Sequence, residues 1–202
     1  KLEAGKSFTN LLTYSEEFDN SNWLGTAIVT PNAINAPYGN QAADLLDDNS
    51  DLDSLRKSQN LLVADDSGSY VFSVFLKQST AAHTLVKHQI SGGSLQVDNS
   101  AVIDWASPSS TSGSGISIQD EGDGWYRLSI SLSNNSTGNV TASVLIWPAN
   151  YPSVGVGSVY AWGAQLVEGS EPGHYVKTTS TSATLACTAT ETGDAKCFNT
   201  RK

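Results

Sequence analysis

Apolar and polar residues alternate with a period of two along most of this chain, the spacing that sends successive side chains to opposite faces of a β-strand. In Ser69 to Lys77, Tyr70, Phe72, Val74 and Leu76 fall on one face and Val71, Ser73, Phe75 and Lys77 on the other. In Trp125 to Ser133 the core set is Tyr126, Leu128, Ile130 and Leu132, which leaves Trp125, Arg127, Ser129 and Ser131 pointing the opposite way. Asn139 to Trp147 repeats the pattern with Val140, Ala142, Val144 and Ile146 inward. Weaker alternation predicts strands at Phe8 to Tyr14, Thr26 to Thr30, Gln41 to Leu46, Arg56 to Val63, Ala82 to Ile90, Ser94 to Asp98, Ala101 to Trp105, Gly115 to Gln119 and Val156 to Val167. About a dozen short strands separated by Gly, Asn, Ser and Pro clusters read as an all-β antiparallel sandwich running from about Phe8 to Thr179. Helix signals are nearly missing; Ser15 to Asn22 predicts one short helical turn, with Ser15 as cap and Glu16 and Glu17 in the first turn.

The polar run Thr178 to Thr184 marks the end of that sandwich, and residues 180–202 form a tail. In it Cys187 and Cys197 flank TATETGDAK, with the turn-like Glu191-Thr192-Gly193-Asp194 at the centre. Folded as a hairpin, this tail makes the two cysteines cross-strand neighbours at a separation that suits a disulfide. A pair of free thiols in a cytosolic protein is the other reading, whereas a disulfide implies assembly or exposure outside a reducing compartment.

Composition agrees with the strand reading. Only 15% of the 202 residues are charged, and polarity comes from 29 Ser, 17 Thr and 14 Asn, the residues of strands and turns. The net charge of −9, with no block of Lys or Arg, lacks the positive footprint that neutralises phosphates, so nucleic acid and anionic membranes are poor partners. No run approaches the ~18 apolar residues of a membrane helix, and Lys1 to Asn10 has no signal-peptide pattern. The lack of any methionine, even at position 1, reads as a fragment, an engineered product or a processed product.

Enzyme chemistry finds little to work with. His83, His88 and His174 lack metal-ligand spacing, and no Gly-x-Ser-x-Gly elbow occurs. His83 and His88, five residues apart in one strand, face opposite sides. The acidic segment Asp47 to Asp53 carries Asp47, Asn49, Asp51 and Asp53 at alternate positions, which lets a looped backbone aim hard oxygen ligands at calcium; a solvated turn is the other reading. Sugar binding needs flat aromatic faces for stacking and planar polar side chains for hydroxyls. Alternation exposes Trp125 and Arg127 on one strand and Leu145 and Trp147 on another, while Leu85, Lys87 and Gln89 join them if Val86 and Ile90 point inward. Trp105 and Tyr38, and Tyr151 held between Pro148 and Pro152, would rim that face.

Three stretches then resemble a known domain type. The opening Asn10-Leu11-Leu12-Thr13-Tyr14-Ser15-Glu16-Glu17-Phe18, followed by Trp23, resembles the first strand and loop of jelly-roll domains in phage tail and tail-fibre proteins. Asp123-Gly124-Trp125-Tyr126-Arg127-Leu128 and Tyr160-Ala161-Trp162-Gly163-Ala164-Gln165-Leu166-Val167-Glu168-Gly169, ending in Tyr175-Val176-Lys177-Thr178-Thr179, follow in the same order. The domain type is similar in architecture to carbohydrate-binding modules, and the match spans Asn10 to about Thr179 without covering Leu185 to Lys202. A sandwich brings its first and last strands together, so Leu11 to Tyr14 is expected to pair with Tyr160 to Val167, with Gln165 serving backbone hydrogen bonds. The resemblance implies a non-catalytic adhesion domain on a virion or outside the cell; a host-surface glycan is expected on the residues that alternation and loop position expose, Trp105, Trp147, Tyr151, Trp125, Arg127, Lys87 and Gln89. The alternatives are a structural virion subunit that assembles with neighbouring subunits or with its own copies, and a polysaccharide-degrading enzyme.

Overall fold

The computed structural model describes residues 6–111, 113–149, 155–189 and 195–201. Its strands are β1 (Ser7–Asn10), β2 (Ile28–Asn35), β3 (Gln41–Asp48), β4 (Lys57–Leu62), β5 (Ser69–Gln78), β6 (His83–Ser91), β7 (Val97–Asp104), β8 (Ile116–Gly122), β9 (Trp125–Ser133), β10 (Thr141–Trp147), β11 (Gly157–Glu168), β12 (Ala183–Ala189) and β13 (Ala195–Arg201). They form a six-stranded sheet in the order β2-β3-β11-β5-β9-β8, a four-stranded sheet in the order β4-β10-β6-β7, and a three-stranded sheet in the order β1-β12-β13. Every strand pair is antiparallel.

The period-two pattern does what it should. Phe72, Val74 and Leu76 of β5, Leu128 and Ile130 of β9, and Ala142, Val144 and Ile146 of β10 meet Val86 and Ile90 of β6 in one core between the two large sheets. Val140 departs from the pattern: it precedes β10 and is 40% exposed. The opposite faces of β5, β9 and β11 are buried too. Phe75, Trp125 and Trp162 form a second cluster with Ala36 and Ala43, packed by Ile34, Tyr160 and Tyr175. The six-stranded sheet is therefore covered on both sides at its centre, where β5 reads as a near-continuous apolar run for that reason, while β2 and β8 at its edges stay largely exposed.

Two local expectations change. Ser15 to Asn22 folds as successive turns and not as a helical turn, with Tyr14, Glu17 and Asn20 carbonyls accepting from the N–H groups of Glu17, Asn20 and Trp23. Ser15 caps nothing; buried, its hydroxyl accepts from the Thr178 N–H at 2.9 Å. The segments 94–98 and 101–105, expected as two strands, are served by the single strand β7, which pairs with β6 from Val97 to Asp104.

The expected strand pairing of Leu11 to Tyr14 with Tyr160 to Val167 does not form, because β1 ends at Asn10 and pairs with β12 while β11 lies between β3 and β5; the two segments meet instead through the Asn10 side chain and one backbone bond. Asn10 is fully buried; its amide donates to the carbonyls of Ala164 (3.1 Å) and Val176 (2.9 Å), and its oxygen accepts from the N–H groups of Leu12 and Leu166 (3.1 Å each). The Leu11 N–H donates to the Leu166 carbonyl. Gln165 is the structural amide expected of it, donating to the Pro172 and His174 carbonyls and accepting from the Val176 N–H. In the tail, β12 pairs with β1 on one side and β13 on the other, and the β12–β13 register sets Cys187 opposite Cys197.

Candidate functional site

With Val86, Ile90, Val144 and Ile146 committed to the core, their neighbours along β6 and β10 take the opposite, outer side of the sheet. The cross-strand register sorts these into rows. Trp147 lies opposite Leu85 and then Val102; Ser58, Leu145, Lys87 and Ser100 make the next row, and Asn60, Ser143, Gln89 and Asp98 the one after. Trp147, Leu145, Leu85, Lys87 and Gln89 thus share one half-buried, water-facing surface, as the alternation predicted.

Two cations flank this surface. The Arg56 guanidinium lies over the Trp147 ring, 5.7 Å from its centroid, a cation–π contact that leaves its outward N–H donors available beside the indole. Lys87 is paired with Asp98 at 3.3 Å, and Asp98 also accepts from the Gln96 amide at 3.0 Å. At the Trp147 end, His83 approaches Asp104 at 3.9 Å. The result is an aromatic platform with guanidinium, ammonium, carboxylate and two planar amides, Asn60 and Gln89, arrayed along about 13 Å of strand. Such a surface can stack a flat ring and exchange hydrogen bonds with hydroxyl groups on both sides of it. Arg56 and Asn60 were not singled out by sequence. The signal was there in Arg56, Ser58, Asn60 and Leu62, whose period of two continues the outward rows.

Other predicted ligand residues lie elsewhere. Trp125 is 2% exposed, because residues 34–43 and Tyr175 cover the outer face of its sheet. Arg127 stands on that same covered face: its guanidinium donates to Gly173 O (2.7 Å) and Ser73 Oγ (3.0 Å) and lies 5.2 Å from the Phe75 ring centroid. Burial lowers its pKa from the ordinary arginine value, yet it serves as a structural cation, not a ligand hand. Trp105 does not rim the sheet face: it is 6% exposed and packed into the core, with its indole N–H donating to Thr84 Oγ1 at 2.9 Å. Tyr151 lies outside the described residues.

Among the described residues no group of three or more His, Cys, Asp or Glu side chains is arranged to hold a metal ion. Of the expected calcium ligands, Asp47 sits within β3, paired with Ile28 and Ser158, while Asn49, Asp51 and Asp53 are exposed. Asp48 orders the loop instead. Its buried carboxylate accepts from the N–H groups of Ser50 (3.1 Å) and Leu55 (2.9 Å), and desolvation raises its pKa despite those bonds. His83 and His88 face opposite sides as expected. His88 is fully buried, and desolvation lowers its pKa to about 4, so it is neutral in the core.

No protein-family model matches the chain, and no curated protein matches it in sequence. Solved structures do match in shape. The enzymatically active domain of tailspike protein 4 from bacteriophage CBA120 aligns with a TM-score of 0.53 at 14% identity, over 79% of this chain and 21% of that one. A CBM4 structure (TM-score 0.42, 8% identity, 81% and 86% covered) and a xylan-binding domain from CBM22 (0.44, 13%, 86% and 99%) are looser likenesses. The chain spans about a fifth of the length of the tailspike structure it matches. Its topology and that likeness agree on the fold: an all-β antiparallel sandwich of jelly-roll type.

Proposed function

We propose that this chain is a non-catalytic carbohydrate-binding module that lays a surface glycan across the outer face of the four-stranded sheet. The observation that carries the reading is the convergence of Trp147, Arg56, Leu145, Leu85, Lys87, Gln89 and Asn60 on one open face, in register across three strands. Trp147 is the stacking platform; Arg56 fixes its orientation and donates to hydroxyls; Lys87 and the amides bind hydroxyls of the next sugar along the strand. Among the described residues this face carries one aromatic platform, Trp147, and many polar groups, which suits a soluble, extended glycan better than a crystalline polymer. Titration of wild-type protein with a glycan array tests the proposal. Trp147→Ala should remove binding to the glycans that wild type retains, at least tenfold in affinity, with an unchanged melting curve, and an array on which wild type binds nothing overturns it.

The proposal extends to place. A polar, acidic adhesion module suits a virion surface or the outside of a cell, attached to a phage tail or fibre protein, as the order of the three sequence stretches suggests. Detection of this chain in purified phage particles tests this extension, and its absence from them overturns it. Light scattering of the chain tests the rival reading as an assembly subunit, which requires trimers or larger closed oligomers.

A further inference from the structure

We propose that a cleft at one end of the sandwich, between Trp105 and Tyr126, is a second carbohydrate subsite that accepts a single pyranose ring. It rests on the reading of the chain as a carbohydrate-binding module but uses none of the residues of the sheet face. The cleft has a volume of about 350 Å³ and is lined by Lys77, Gln78, Trp105, Pro108, Gly124 and Tyr126.

Its walls are those of a sugar site and not of a gap in packing. Trp105 and Tyr126 meet edge to face, with ring centroids 6.2 Å apart at 63°, so one ring presents its face beside the edge of the other. Pro108, in the 3-10 turn Pro108–Ser110, adds a rigid apolar edge. The polar groups are placed but uncommitted. The Tyr126 hydroxyl and the Gln78 side-chain oxygen have no hydrogen-bond partner among the described residues, although the Gln78 amide donates to Ala81 O at 3.2 Å. Lys77 is held in position by its bond to the Asp123 carbonyl at 2.7 Å, which uses one of three ammonium donors. One donor–acceptor hydroxyl, one acceptor and one cation around an apolar wall match the C–H face and hydroxyl rim of a pyranose.

The fold also joins the two sites. The Trp105 indole donates to Thr84 Oγ1, and Thr84 Oγ1 donates to the carbonyl of Pro148, the residue after Trp147. The cleft therefore lies at the same end of the sandwich as Trp147, with buried Thr84 between them.

Indole N–H resonances read the two sites apart. Millimolar D-glucose, D-galactose, D-mannose and D-xylose, added singly to isotopically labelled wild-type protein, should include at least one sugar that shifts the Trp105 indole signal and leaves the Trp147 signal in place. Tyr126→Phe, which keeps the ring, should weaken that response about tenfold, and Gln78→Ala should do the same, while Trp147→Ala should not change it. Oligosaccharide binding that Trp147→Ala removes and Tyr126→Phe keeps would support the sheet face whatever the cleft does. The subsite is overturned if no monosaccharide moves the Trp105 signal, or if the shift survives both cleft substitutions at full affinity.

Discussion

Asn10 concentrates in one side chain the closure of the sandwich, since its four hydrogen bonds tie the start of the chain to β11 and to the segment before the tail. Truncation leaves two carbonyls and two N–H groups unpaired in a site with no access to water. Asn10→Ala should therefore cost roughly 2–4 kcal/mol in urea unfolding, with the unfolding slope unchanged. Arg127 makes the matching case on the covered face. Arg127→Ala should lower the melting temperature through the lost bonds to Gly173 and Ser73, yet leave glycan affinity within twofold of wild type, since no part of the proposed site touches it. At this scale the sequence was a partial guide. Gln165 is the structural amide expected, but its partners lie in 172–176 and not in the first strand, and the partners of Asn10 across the sandwich, some 150 residues away, were not legible. Trp125 was misplaced because alternation says which face a residue takes, but not whether a loop later covers that face.

Elements were far more legible than their neighbours. The period of two located β5, β9 and β10 almost residue for residue, because their inward positions are uniformly large and apolar. It ran short where a face is mixed, as in β2, expected over 26–30 and found over Ile28–Asn35, whose register with β3 shifts around Ile34; β11 was located to within a residue at each end, although Gly163 at φ 63° accompanies a bulge between Trp162 and Gln165. Calcium-like spacing in 47–53 was equally visible, but spacing does not fix where a backbone turns; Asp48, one position off the alternating set, does that work. Asp48→Ala should loosen the β3–β4 connection by about 1–3 kcal/mol, with the same cost in calcium and in chelator. The tail gives the complementary lesson, since a turn-like sequence between two cysteines was enough to expect the register that pairs Cys187 with Cys197. A disulfide there should protect both thiols from alkylation until reductant is added, and reduction should lower stability by about 2–3 kcal/mol. Free reactivity of both cysteines in unreduced protein would remove the disulfide.

Across the whole molecule, two buried ionisable groups pull stability in opposite directions with pH. Asp44, 1% exposed in β3, accepts from the Phe18 N–H (2.8 Å) and the Asn32 N–H (2.9 Å), but desolvation outweighs those bonds and raises its pKa to about 6. Between about pH 3.8 and 6 the folded chain keeps a proton there that the unfolded chain has lost, so this group makes stability fall as pH rises. His88 does the reverse. With its folded pKa at about 4 and its unfolded value near 6.5, the unfolded chain holds the extra proton in that interval, so stability rises with pH. Each slope approaches 1.4 kcal/mol per pH unit where a full proton separates the two states, and the windows overlap from about pH 4 to 6. Wild-type protein should accordingly show a shallow pH dependence of unfolding free energy across that overlap. Asn at position 44 cannot titrate, so Asp44→Asn leaves the His88 slope exposed, and stability should climb by more than 1 kcal/mol from pH 4.5 to 6. His88→Gln should produce a decline over the same interval. Urea titrations of the three proteins at half-unit pH steps check the assignment, and parallel profiles for all three would show that neither group changes its protonation on unfolding.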